Sequence, residues 1–198
     1  MEDSSSNHFL TAALISFIFT SYFYSTSAAG QTNTEFIRTS CSTTSYPSLC
    51  ITSLSSHATA IQTSPKLLAH TALSVTLDNT QSTSAMMLRL VQTHGLKPRE
   101  VGAMHDCVEE MGDSVDLIRK SLGEMSQLKG SNFELMMSDV QTWVSAALTD
   151  DDTCSDGFAG NGMNGNMKNV VRGRIVNIAH LTSNALALIN NYATSVHG

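Results

Sequence analysis

Hydrophobic side chains return along this chain at steps of three and four, not at steps of two. From Val101 they run Val101, Met104, Val108, Met111, Val115, Ile118, Leu122 and Met125, the rhythm of a helix that buries one stripe in a bundle. The last segment repeats it with Val171, Ile175, Ile178, Thr182, Ala185, Ile189 and Tyr192. A shorter seam passes through Phe133, Met136, Val140, Trp143 or Val144, and Ala147. A fourth stretch, from Pro65 to about Thr93, is rich in Ser, Thr and Ala but places Leu73, Leu77, Met87 and Val91 at helical spacing. Sustained alternation, the mark of a strand, is missing. The pattern predicts an all-α fold: an antiparallel up-down-up-down four-helix bundle.

Punctuation supports these elements. Pro47, Pro65 and Pro98 each suit a first helical position, where the N–H that proline lacks would be unpaired anyway. Ser64 is placed to cap its helix, and Gly95 suits the position that ends it. Two short helices, about 33–41 and 47–60, precede the bundle as an N-terminal hairpin. Residues 156–165 are rich in Gly and Asn and read as a loop.

Before the hairpin, Phe9 to Tyr24 is almost wholly apolar or hydroxyl-bearing, and the small residues Ser27, Ala28, Ala29 and Gly30 follow. That order suits a secretory leader cleaved after Ala28, Ala29 or Gly30. Glu2 and Asp3 stand where basic residues are usual. The apolar run is shorter than the roughly 20 residues that span a bilayer. The expected organisation is a signal peptide over 1–29 and one domain over 30–198, with the hairpin at about 30–62 and the bundle at about 63–198. A net charge of −6 argues against a nucleic-acid surface, which needs a basic face.

Export gives the four cysteines a meaning. In an oxidising compartment Cys41–Cys50 and Cys107–Cys154 are favoured among three possible connectivities. They would close loops of about 10 and 48 residues and contribute roughly 2.7 and 4 kcal/mol respectively by chain entropy. A metal site is disfavoured: no Cys-x-x-Cys occurs and no His stands at ligand spacing.

The motifs around these cysteines are more specific than their number. Cys41-Ser-Thr-Thr-Ser-Tyr-Pro-Ser-Leu-Cys50, Asp106-Cys107, the run from Thr142-Trp143-Val144-Ser145-Ala146-Ala147-Leu148-Thr149 through Cys154-Ser155-Asp156-Gly157-Phe158, and Leu181 to Leu188 resemble the plant invertase and pectin methylesterase inhibitor family. The resemblance covers nearly all of the chain beyond the leader. It implies a secreted four-helix bundle with a hairpin and bridges Cys41–Cys50 and Cys107–Cys154. It also implies an inhibitor of the apoplast or cell wall rather than an enzyme, working without cofactor. The implied complex is one monomer on one pectin methylesterase, with no nucleic acid and no membrane after leader cleavage. Members directed at acid invertase look as though they carry Pro-Lys-Phe between bundle helices. Here that connection reads Leu128-Lys129-Gly130-Ser131-Asn132-Phe133, so the resemblance favours the esterase branch.

Candidate contact residues follow. Glu109, Asp113 and Asp116 share one helical stripe opposite the Val108/Met111/Val115 seam, flanked by Asp106 and Glu110. The family looks as though it uses acidic positions at these offsets from the cysteine. Thr142, Thr149 and Thr153 are further candidates, although hydroxyls beside a disulfide also suit helix ends. Asp150-Asp151-Asp152 reads as a helix exit in solvent, Trp143 as core, and the methionines as core filling, with Met86 and Met87 able to form a surface patch. No Gly-x-Ser-x-Gly, His-Glu-x-x-His or phosphate loop is present. An invertase inhibitor, a structural or signalling bundle and a small-molecule binder remain as alternative readings.

Overall fold

The computed structural model describes residues 30–92, 96–159 and 166–197. The leader expected over 1–29, Gly95 and most of the Gly/Asn-rich loop lie outside the described residues. Helix α1 covers 30–41, three residues longer than expected. The second hairpin helix is interrupted: α2 (Pro47–Leu54) passes through a 3-10 turn, Ser55–His57, into α3 (Ala58–Ile61). Four long helices follow, α4 (Pro65–Val91), α5 (Pro98–Gln127), α6 (Phe133–Gly157) and α7 (Asn166–His197). No strand occurs among the described residues.

Local chemistry sets the helix starts. All three prolines open helices. Ser64 Oγ accepts the Leu67 N–H at 3.3 Å, and Glu100 reaches back to accept the Lys97 N–H at 2.8 Å. Each capping bond satisfies one N–H that the helix itself leaves unpaired. Gly130, at φ +53°, makes the tight link from α5 to α6, a conformation in which a Cβ would be strained.

Each long helix packs against two others, in the ring order α4–α5–α6–α7. Burial shows the helix directions. One apolar group joins Leu68–Leu73 of α4 to Ile118 and Met125 of α5, Met137–Ala147 of α6 and Ala185–Ile189 of α7. Early α4 and α6 thus meet late α5 and α7, as an antiparallel bundle requires. A second group, at the other end, joins Met87, Met104, Cys107, Met111, Cys154, Phe158, Val171, Ile175 and Ile178. Between the two groups every helix presents a buried polar residue: Thr80, Ser114, Asp151 and Thr182. A polar layer therefore divides the core.

Three expectations need correction. The buried face of α4 runs through Leu68, Ala69, Ala72, Leu73, Thr76, Thr80, Thr83 and Met87, whereas Leu77 and Val91 are only half-buried. Threonine can take these sites because its hydroxyl bonds back into the helix, as Thr76 does to the Ala72 carbonyl and Thr80 to that of Thr76, each at 2.9 Å. Trp143 is half-buried and outside the two core groups. Asp150-Asp151-Asp152 is no exit in solvent: α6 continues to Gly157, and Asp151 is fully buried.

The hairpin adds Ile37, Cys41, Cys50, Leu54 and Ile61 to the first apolar group. Asn184 of α7 holds its turn, accepting the Tyr46 N–H and donating to the Tyr46 carbonyl, both at 3.0 Å. The Tyr46 ring stacks on His180 with centroids 3.6 Å apart. The structure pairs Cys41 with Cys50 and Cys107 with Cys154, at Cα separations of 5.6 and 4.5 Å. Gln62, at φ +55°, turns the chain from hairpin into bundle.

Two outcomes are expected in denaturant unfolding. Replacing Cys107 and Cys154 by alanine should destabilise the fold more than replacing Cys41 and Cys50, by about 1 kcal/mol, because the loop is longer. Equal losses would contradict the loop-length argument. Gln62→Gly should stabilise by about 1 kcal/mol by relieving its left-handed backbone, and a loss would show the side chain matters more than the strain.

Candidate functional site

Helices α5 and α6 lie side by side and turn a shared outer surface to solvent. Glu109, Asp113 and Asp116 are exposed on α5, opposite its buried stripe. Asp116 is engaged by Arg119, one turn on, at 3.1 Å. Thr142, Thr149 and Thr153 are exposed on α6. Their hydroxyls bond to carbonyls one turn back, those of Ser138, Ser145 and Thr149, at 2.8, 3.1 and 2.8 Å. Each hydroxyl thus spends its hydrogen inside the helix and offers a partner only an acceptor.

The structure brings together groups that sequence reasoning kept apart. Asp150 comes within electrostatic reach of Glu110 and Asp113 across the α5/α6 seam. Burial, then Glu110, then Asp113, hold its carboxyl above the usual carboxylate range. Its Oδ2 atom is shut off from solvent and has no hydrogen-bond partner. One turn away, Arg99, Asp106, Glu110 and Thr153 line a groove of about 600 Å³ beside the Cys107–Cys154 bridge. Asp113 therefore belongs to a carboxylate cluster spanning two helices, while Glu109 and Asp116 extend the acidic surface along α5.

Asp150 was legible from one signal. The bridge makes Cys107 and Cys154 neighbours, and antiparallel helices then set residues after Cys107 beside residues before Cys154. Glu110 and Asp113 fall opposite Asp150 by that count. Composition strengthens the polarity: α6 holds Glu134, Asp139, Asp150, Asp151, Asp152 and Asp156 with no Lys or Arg. Acids at a helix C-terminus oppose its dipole, so this end of α6 is negative at some cost to itself.

Behind the surface, Asp151 joins three helices. Ser114 of α5 donates to its Oδ1 at 3.1 Å, and Thr182 Oγ1 of α7 lies 2.7 Å from its Oδ2. Burial raises this carboxyl to about 7, against the lowering effect of both hydroxyls.

Comparison with known proteins matches the sequence and the fold to a family. Residues 35–188 fit the family model described as plant invertase/pectin methylesterase inhibitor. The chain is 52% identical over 162 residues to a 21 kDa protein of Daucus carota, covering 80% of this chain and 84% of that one. It is 51% identical over 163 residues to pectinesterase inhibitor 11 of Arabidopsis thaliana, covering 80% and 81%. Its fold matches the crystal structure of a mutant form of a pectin methylesterase inhibitor from Arabidopsis with TM-score 0.63 at 23% identity, over 76% of this chain and 92% of that one. With helices, both cysteine pairs and most of the chain within that match, the protein belongs to the plant invertase/pectin methylesterase inhibitor family.

Proposed function

We propose that this protein is a secreted inhibitor of pectin methylesterase. It sits over the pectin-binding cleft of the enzyme as a one-to-one complex and so restrains de-esterification of cell-wall pectin. The observation that carries the target is the 51% identity to a pectinesterase inhibitor across four-fifths of both chains. The leader over 1–29 would deliver it to the apoplast, leaving 30–198 as the working monomer. Acid invertase is the weaker target, since Leu128–Phe133 lacks the Pro-Lys-Phe element of members that resemble invertase inhibitors.

The α5/α6 surface suits the task physically. Its backbone is fixed by two packed helices and a disulfide, so little conformational entropy is lost on docking. Glu109, Asp113 and Asp116 would supply charge contacts, and Thr142, Thr149 and Thr153 acceptors at the rim. No group here attacks a substrate, so inhibition is steric: bundle helices fill the space the polymer needs. Affinity comes from a few central contacts rather than from total area.

Where these carboxylates meet acidic groups of the enzyme's cleft, protonation relieves repulsion, so binding tightens in acid and weakens toward neutrality. Purified, disulfide-intact protein assayed against a pectin methylesterase and an acid invertase across pH 5–8 tests the target: inhibition of the esterase alone is expected. Glu109→Gln, Asp113→Asn and Asp116→Asn should each flatten the pH dependence, and the triple variant should change affinity at least about tenfold. Unchanged pH profiles in all three would remove these residues from the interface.

A further inference from the structure

Counting hydrogens in the polar layer gives Asp151 a definite state. Three short oxygen-to-oxygen contacts meet there: Ser114 Oγ to Asp151 Oδ1 at 3.1 Å, Thr182 Oγ1 to Asp151 Oδ2 at 2.7 Å, and Thr182 Oγ1 to the Ile178 carbonyl at 3.0 Å. Each needs one hydrogen, and the two hydroxyls supply two. A protonated carboxyl closes the count. Ser114 donates to Oδ1, the carboxyl O–H donates to Thr182, and Thr182 donates to the Ile178 carbonyl. A carboxylate leaves one contact unbonded and a buried negative charge.

Among the described residues, the charges that act on Asp151 are those of its neighbours, and they do not compensate it. On α6 its neighbours Asp150 and Asp152 repel it. On α5 it meets neutral Ser114, while Glu110 and Asp113 act on Asp150. On α7 it meets Thr182, and His180 is stacked on Tyr46. On α4 the buried polar residues are the threonines 76, 80 and 83. Asp113 precedes Ser114 and Asp150 precedes Asp151, so the core contact and the carboxylate cluster are adjacent along both helices.

We infer that Asp151 is a positioning residue of the α5/α6 face: its carboxyl proton completes the hydrogen-bond layer joining α5, α6 and α7, and its loss loosens the surface presented to the partner. The partner is the esterase proposed above, and the inference rests on that reading. Burial raises the carboxyl from 3.8 to about 7. For a carboxyl raised on folding, the contribution is complete below the unfolded value of 3.8, is lost as pH climbs to about 7, and is level beyond.

Asp151→Asn tests this, because an amide donates to Thr182 and accepts from Ser114 at every pH. Wild type and variant are compared at pH 5 and 8 by amide-exchange protection factors over residues 106–117 and by esterase inhibition. Wild-type inhibition should fall about tenfold more than that of the variant over this range, as the protonated fraction falls to about one-tenth. Protection over 106–117 should fall with it in wild type alone. Asp152→Asn, an exposed neighbour, should keep the wild-type profile. Identical pH dependence of protection and inhibition in wild type and Asp151→Asn would overturn the inference, as would a change in protection with none in inhibition. If Asp151→Asn fails to fold, Asp151→Ser carries the test by removing the titrating carboxyl itself: the acid-side gain in melting temperature seen in wild type should vanish, and a retained gain overturns the inference. Inhibition by neither protein at any pH would overturn the esterase reading instead, and the protection factors then decide Asp151 by themselves.

Discussion

Amphipathic helices can bury the same stripes while sliding past one another by a turn, so a bundle of this kind needs something to set the register. The bridge between Cys107 and Cys154 does this for α5 and α6. Once those two residues are joined, Met111, Ser114 and Ile118 have one set of partners on α6. Ala147 and Val144 fall to one side of Asp151 and Cys154 to the other. Met87 of α4 packs its sulfur 3.6 Å from Cys107, carrying the same register to a third helix. The carboxylate cluster is a consequence of this alignment. Shift α6 by one turn and Asp150 no longer meets Glu110 and Asp113.

The polar layer fixes register by a different means. Apolar contacts tolerate sliding, since one methyl substitutes for another at modest cost. A hydrogen bond between Ser114 and Asp151 does not, because displacement leaves both groups buried and unpaired. Dividing the core in this way gives up some apolar burial for a single alignment, a recognised use of buried polar groups in helical bundles.

Much of this was open to reading in the sequence. The α7 seam was legible from Val171 to Ile189, and the α5 seam at Met104, Met111, Val115, Ile118 and Met125, because most of these positions are large and regular; Val101, Val108 and Leu122 are only half-buried. The face of α4 was not legible. Hydropathy treats Thr76, Thr80 and Thr83 as polar, and at Thr76 and Thr80 the bond back to the helix makes the side chain fit for a core. Asp151 was missed for a related reason: it stands in a run of three aspartates, and a charge run usually means solvent. Only the seam of α6, followed past Ala147 at steps of four and three to Cys154, puts Asp151 inward. The exposed candidates Glu109, Asp113 and Asp116 were placed correctly on their helix, since a stripe opposite a strong seam has one place to go. Asp150 is reached only by counting across the Cys107–Cys154 bridge, because its partners come from another helix.

The two apolar groups are unequal. The one near the hairpin collects aliphatic side chains from α1, α2 and α3 as well as from the long helices. The other leans on Met87, Met104 and Met111, whose unbranched chains occupy several rotamers at little cost. Opening energies are set locally by how much is buried and how tightly it is held. The bridge therefore crosses the molecule at the end whose core relies most on methionine, and holds α5 to α6 where side-chain shape alone specifies their fit least.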